Sequence, residues 1–267
     1  MKTAAVLSAA LILAGLLSAA PEVRSHAENP DHDWDDFLDA LSTRIDSYSD
    51  LKNWRAAVRS SVTEMDKNWK PEKTTVVRKI TTVTEGLSRE EILEVLETEK
   101  GTTKDITETY VLEAEERRRK AEERRRDSAR DRERSGGRRD MSVADLAPFS
   151  RENRIKYSFS FLPDAEVSGR PARVLSAEAR AKDSEVFEGR YYIDRETLDV
   201  LRVELRPSKN PRFVKHLEMD IRFQPGIGSL ALKASQMKIH AGFLLKTMRL
   251  VVEEEYTDFE ILDPAGS

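Results

Sequence analysis

The chain has 267 residues, 35 % charged and 39 % hydrophobic, with 45 Lys and Arg set against 49 Asp and Glu. That length supports one large or two small globular domains with a real core. A formal net charge of −4 excludes a polyphosphate footprint spread over the whole surface, so any basic function has to be local.

The first segment, MKTAAVLSAALILAGLLSAA, places a lysine beside the start and then an apolar or small run from Thr3 to Ala20. This is the layout of a secretory signal, diluted with Ala, Ser and Gly below what a membrane span needs. Ser25-His26-Ala27 supplies small residues at −3 and −1, so cleavage is expected after Ala27 rather than after Ala20, which Pro21 follows. An uncleaved N-terminal anchor is the alternative. Without any cysteine the chain has neither a disulfide framework nor a lipid-modified N-terminal Cys. Residues 1–27 are therefore read as a signal peptide, and the mature protein as soluble and exported.

Trp34, Phe37, Leu38, Leu41, Ile45 and Tyr48 recur at the spacing of one helical face. Acidic residues crowd the first turn, where the helix dipole favours them. The same residues, Asp31-His32-Asp33 and Asp35-Asp36, invite a metal reading, but no ligands follow at fixed spacing and no metal is expected. WRAAVRSSVTEM and KTTVVRKITTVTE then read as two strands, joined by a turn containing Pro71. Ser88 and Glu91 form an S-x-x-E capping box, which predicts a short helix over Ile92, Leu93, Val95 and Leu96 ending at Gly101. Asp105-Ile106-Thr107 caps a second helix running through Tyr110, Val111 and Leu112 into EAEERRRKAEERRRDSARDRERSGGRRD.

That arginine-rich stretch, Glu113 to Asp140, sets twelve basic residues against nine acidic ones. Glu stands three and four positions before Arg, the favourable order for side-chain pairs on a helix. No aromatic residue is interleaved for stacking on bases, so no nucleic-acid partner is expected. A self-paired solvated helix leading into a flexible linker accounts for the pattern; an anionic membrane surface or a partner protein is the alternative.

Beyond it the chain turns β. IKYSFSF, RVLSAEARA, GRYYIDRETLDVLRVELRP, FVKHLEMDIRF, SLALKASQMKIH and FLLKTMRLVVEEEYTDFEI alternate apolar and polar positions, with Asp194 to Thr197 as a turn. Successive antiparallel strands with one apolar face form a curved sheet or barrel whose inside must be covered, and the helix from Trp34 to Tyr48 is the obvious cover. The chain is thus α+β, with the domain laid out as residues 28–112, a charged helical insertion at 113–140, strands completing it over 141–262, and a tail at 263–267.

The exported N-terminal helix, the Val/Thr-rich strands, PFSRENRIKYSFSF, the run EGRYYIDRETLDVLRVEL and the closing EEEYTDFEI together resemble the outer-membrane lipoprotein-sorting, LolA/LolB-like superfamily. The most telling piece is Gly189 to Leu205: glycine, aromatic pair, Ile-Asp, turn, then an alternating strand. The resemblance implies an unclosed antiparallel barrel covered by helices, whose concave apolar face holds acyl chains in the periplasm, with a strand arginine bonded to the lid. Arg55 and Arg59 are the candidates for that arginine. From alternation, the concavity is expected to be lined by Trp54, Val58, Val62, Val76, Ile80, Tyr157, Phe159, Leu201, Val203, Phe213, Met219 and Ile221. Expected partners are the acyl chain of a lipid or lipoprotein, and beyond it membrane proteins of the envelope; the oligomeric state stays open. The rival is a sensor or scaffold with the same sheet packed solid.

Catalysis finds no support. The mature chain has only His32, His216 and His240, no Cys, and no G-x-S-x-G, H-E-x-x-H or phosphate-binding glycine loop. His216 falls on the polar side of its strand, and Glu253, Glu254 and Glu255 alternate between faces, which is poor geometry for one cation. No enzyme activity and no cofactor are expected.

Overall fold

A computed structural model describes residues 32–47, 53–85, 87–129, 148–183, 186–225, 231–243 and 246–262. The expected signal peptide, Asp31, Tyr48, the arginine-rich stretch beyond Ala129 and the tail lie outside the described residues, as do the side chains of His32 and Asp33. Among the described residues, eleven strands form one antiparallel sheet. They are β1 (Trp54–Met65), β2 (Pro71–Thr84), β3 (Leu87–Glu99), β4 (Thr102–Asp105), β5 (Tyr157–Val167), β6 (Arg170–Ala179), β7 (Phe187–Asp194), β8 (Val200–Pro207), β9 (Val214–Phe223), β10 (Leu232–Phe243) and β11 (Lys246–Ile261). The helices are α1 (His32–Asp46), α2 (Thr107–Ala129) and the single turn α3 (Arg151–Arg154).

The sheet order is β4-β3-β2-β1-β11-β10-β9-β8-β7-β6-β5, so β1 and β11 meet in the interior while β4 and β5 are free edges. This is an unclosed half-barrel. The chain passes from one edge to the other between β4 and β5, and α2 and the segment 148–156, which contains α3, are the described parts of that passage. Asp105 Oδ1 accepts from the backbone N–H of Thr107 at 2.8 Å, which fixes the start of α2 as the sequence predicts. Along α2, Glu113 pairs with Arg117 at 3.4 Å and Glu116 with Lys120 at 2.5 Å, both at i, i+4. The charge run is thus self-paired over this part of its length.

The predicted helix over 88–101 is wrong. Leu87–Glu99 is β3, paired along its length with β2, with Val77 opposite Val95 and Thr75 opposite Glu97. The capping box loses because β2 offers an open row of backbone groups and a complementary row of charges. Lys79 meets Glu90 at 2.5 Å, Lys73 meets Glu97 at 2.6 Å and Arg78 meets Glu94 at 3.4 Å across the two strands. Gly101 does not end a helix; with Lys100 it makes a two-residue hairpin turn, both at positive φ (51° and 80°), between Glu99 and Thr102.

Candidate functional site

One apolar face of the sheet carries the main core. Its register lines up Leu175 with Tyr191, Tyr191 with Val203, Leu205 with Met219 and Ile239 with Leu250, strand after strand. Val62 on β1 joins the same cluster, opposite Val252. Over this face lies α1, whose Leu38, Leu41 and Ile45 are buried in the cluster while Trp34 and Phe37 pack at its margin. Burying three aliphatic side chains of this size contributes on the order of 2 kcal/mol each.

Side chains hold α1 in place. Among the described residues no backbone hydrogen bond joins it to the sheet. At its N-terminal end Trp34 stacks on Phe161 with centroids 4.2 Å apart, and Phe37 meets the same ring edge-on at 5.5 Å. The Arg173 guanidinium lies over both Phe37 and Phe161, at 5.4 and 5.0 Å. Towards the C-terminus Arg44 Nε donates to Asp199 Oδ1 at 2.9 Å. Between them Asp39 accepts from Arg151 at 2.8 Å and from Arg154 at 2.7 Å. Arg154 also donates to the Phe149 carbonyl, so one guanidinium ties the segment before β5 to the helix. Ser150 caps α3 through the N–H of Asn153 and sets both arginines in position.

The hydrogen bonds from Arg151 and Arg154 hold the Asp39 carboxyl below its ordinary value of 3.8. A lowered folded-state pKa gives a contribution that is present in full above about pH 4 and fades as pH falls through the depressed value. Attachment of α1 is therefore expected to weaken only in strong acid. A thermal midpoint that drops below pH 4 in the parent, and does so less in Asp39→Asn, is the measurement. Tyr157 and Tyr191 face the cluster as neutral phenols, since burial pushes the first to about 12 and the second well above its usual 10.

The expected lining residues separate into groups. Val62, Tyr157, Phe159, Val203, Met219 and Ile221 belong to the cluster beneath α1 or pack against it. Val58 and Trp54 share their face but stand outside that cluster; Val58 is buried and Trp54 stacks on Phe259. Val76 and Ile80 lie on the opposite face. The register pairs them with Ser61 and Ala57, while Val58 and Val62 pair with Lys79 and Thr75. Leu201 also leaves the concave face: a bulge where Ile193 pairs with Val200 shifts the alternation, and Leu201 packs with Ala172, Val174 and Tyr192 in a second cluster. Phe213 sits in a bend before β9, at φ 71° and 47 % exposed, because Pro211 starts a turn closed by the Val214 N–H.

Arg55 and Arg59 are exposed and share the face of Ala57 and Ser61, away from α1. They do not contact the helix. The strand arginine that meets it is Arg173, and Arg151, Arg154 and Asp199 supply polar contacts. None of these was singled out in the sequence, although Arg173 flanks Val174 and Leu175 in a strand whose alternation was already clear.

Nearer β2 and β3 the same face mixes the buried Val77 and Val95 with polar groups. Tyr256 donates to Glu254 at 3.0 Å, and the Lys79–Glu90 pair lies close by. Glu253 turns to the other side, where Gln236 donates to it at 2.8 Å, so the three glutamates alternate as expected. Asp35 faces Arg154 at 3.7 Å, and among the described residues no three His, Asp or Glu side chains gather where a metal ion could be held. No helix among them is long and apolar enough to cross a membrane.

No family model and no curated protein matches the chain. Solved structures similar to it include a LolA superfamily protein from Nitrosomonas europaea, 9 % identical with a TM-score of 0.34 over 85 % of this chain and 93 % of that one. A domain from Vibrio parahaemolyticus described as an outer membrane lipoprotein-sorting protein domain is 12 % identical, TM-score 0.34, over 86 % and 94 %. A chain of the Pseudomonas aeruginosa MucA/MucB complex is 10 % identical, TM-score 0.26, over 85 % and 94 %.

Proposed function

We propose that this protein is an exported, periplasmic binding protein that holds the acyl chain of a lipid or lipoprotein against the concave face, with α1 as its lid, in the sorting of outer-membrane lipoproteins. The observation that carries this is the attachment of α1: an apolar face is covered by a helix that, among the described residues, only side chains hold to the sheet, with its ion pairs at the margin. Such a cover leaves the sheet's own ladder intact when it moves. Each CH₂ transferred from water to this face gains about 0.8 kcal/mol, so a chain of ~14 carbons retains several kcal/mol after ordering costs. The residues proposed to line the acyl site are Val62, Tyr157, Phe159, Val203, Met219 and Ile221.

A second reading has an observation in its favour. Leu41, Leu175, Ile193, Leu217 and Leu250 are fully buried beneath and around α1, as in a sheet packed solid for a sensor or scaffold. Native mass spectrometry of protein purified without detergent, and thermal unfolding with added lysophospholipid, separate the two. The carrier is expected to retain or take up lipid and to show a midpoint that rises with lysophospholipid concentration. A chain that never takes up lipid and whose midpoint stays fixed is the solid scaffold.

A further inference from the structure

On the opposite, convex face the sheet carries a hollow of about 580 Å³, lined by Met65, Trp69, His216, Lys238, His240 and Val251. Its floor follows from the register. Lys238 stands opposite Val251 and His240 opposite His216, in positions alternating with Ile239, Leu250 and Leu217, which belong to the cluster under α1. Its wall is the tip of the β1–β2 hairpin. Asp66 Oδ1 accepts from the N–H groups of Asn68 and Lys70 at 2.7 and 2.8 Å, and the Trp69 N–H donates to the Asp66 carbonyl at 3.1 Å. This turn places Trp69 at φ 61°, a conformation uncommon for a bulky residue, and brings its indole edge-on to the His240 ring at 6.4 Å.

One feature of the hollow points to a ligand, and a lysine stands beside it. His240 Nε2 is buried without a hydrogen-bond partner, which native proteins seldom tolerate. The exposed Lys238 stands opposite Glu218 in the register and forms no ion pair among the described residues. Arg249 lies opposite His240, and Lys215 and His216 are close enough to disfavour its protonation alongside burial. The acidic groups nearby are engaged: Glu218 faces His216 Nε2 at 3.3 Å, and Asp66 holds the hairpin tip.

We propose that this hollow binds a small carboxylate with an apolar body, the carboxylate taken by Lys238 and the His240 Nε2 N–H and the body resting on Trp69, Met65 and Val251. A carboxylate only accepts hydrogen bonds, so His240 presents a proton at Nε2. The bound anion supplies the missing partner and favours the imidazolium. The site is on the other side of the sheet from the acyl face and does not depend on that face being occupied.

The test uses the full mature chain and octanoate as probe, read by tryptophan emission and by NMR titration of the His240 imidazole. Octanoate is expected to give a saturable emission change from Trp69, read as the difference between the parent and Trp69→Phe so that any response of Trp34 to a chain on the acyl face drops out, and to raise the His240 pKa. Lys238→Gln is expected to weaken octanoate about tenfold, and acetate to bind at least about tenfold more weakly than octanoate because it lacks the body. A parent-minus-Trp69→Phe difference that is absent, or that is unchanged in Lys238→Gln, reports binding elsewhere and overturns the proposal. So does a His240 titration that octanoate leaves unmoved, or inorganic phosphate competing as well as octanoate, which would make the hollow a general anion site.

Discussion

Replacing Gly189 by valine is expected to lower stability by about 3 kcal/mol or more, the upper end of what overpacking a well-packed interior costs. The residue stands in β7 between Ala177 on β6 and Leu205 on β8. A Cβ built there meets the Glu204 carbonyl oxygen at 1.9 Å and the Leu205 Cα at 3.1 Å. Those atoms are backbone, so no rotamer change relieves the clash; β8 has to move, and with it Val203 and Leu205 in the core. Even alanine carries that Cβ. For a chain of this size such a loss shifts the thermal midpoint by roughly 6 to 12 °C. Urea unfolding of Gly189→Ala and Gly189→Val measures it, and a midpoint equal to the parent's in both variants would mean that β7 and β8 do not approach as described.

The same glycine explains why the run from Gly189 to Leu205 was so legible. A close backbone approach, two aromatics, an Asp-led turn and an alternating strand are all local, and local chemistry is written in local sequence. Asp194 accepts from the N–H groups of Glu196 and Thr197 at 2.9 and 3.0 Å, which is the turn that the residues predict. The strand β3 was illegible for the converse reason. Ser88 and Glu91 satisfy a helix cap on their own; only their distant partners on β2 make them strand residues. The signal that would have revealed β3 was charge complementarity, Lys73, Arg78 and Lys79 against Glu97, Glu94 and Glu90, running in opposite senses along the two segments.

For the concave face the limit was parity. Alternation assigns the two faces within one strand but does not align one strand with the next, so Val76 and Ile80 were grouped with Val58 and Val62 although the register separates them. Leu201 was lost to a bulge, which alternation alone does not reveal. Arg55 and Arg59 were a different matter: they differ in parity from Val58 and Val62 on the same strand, and that already put them on the other face. The contacts that do hold α1 join segments more than a hundred residues apart, Asp39 to Arg151 and Arg154, and Arg44 to Asp199.

Placing a carboxylate at the centre of the covering face, in Leu41→Asp, is expected to release α1 while the sheet stays folded. Leu41, on the sheet-facing side of α1, is fully buried. Its loss removes about 2 to 3 kcal/mol of apolar burial, and an unpaired carboxylate among Leu, Ile and Phe side chains adds a larger penalty. Arg151 and Arg154, which hold Asp39, and Arg44, which is paired with Asp199, lie at the margin of the face, so they do not neutralise a carboxylate at its centre. Because no backbone hydrogen bond ties α1 to the sheet among the described residues, its departure breaks no strand pairing. The variant should keep its β circular-dichroism signal, bind a hydrophobic dye several-fold more strongly than the parent, and lose retained acyl ligand. If the β signal collapses together with α1, the helix is an integral part of the core and the lid mechanism fails. If dye binding and ligand retention both stay at parent levels, α1 does not cover the acyl site at all.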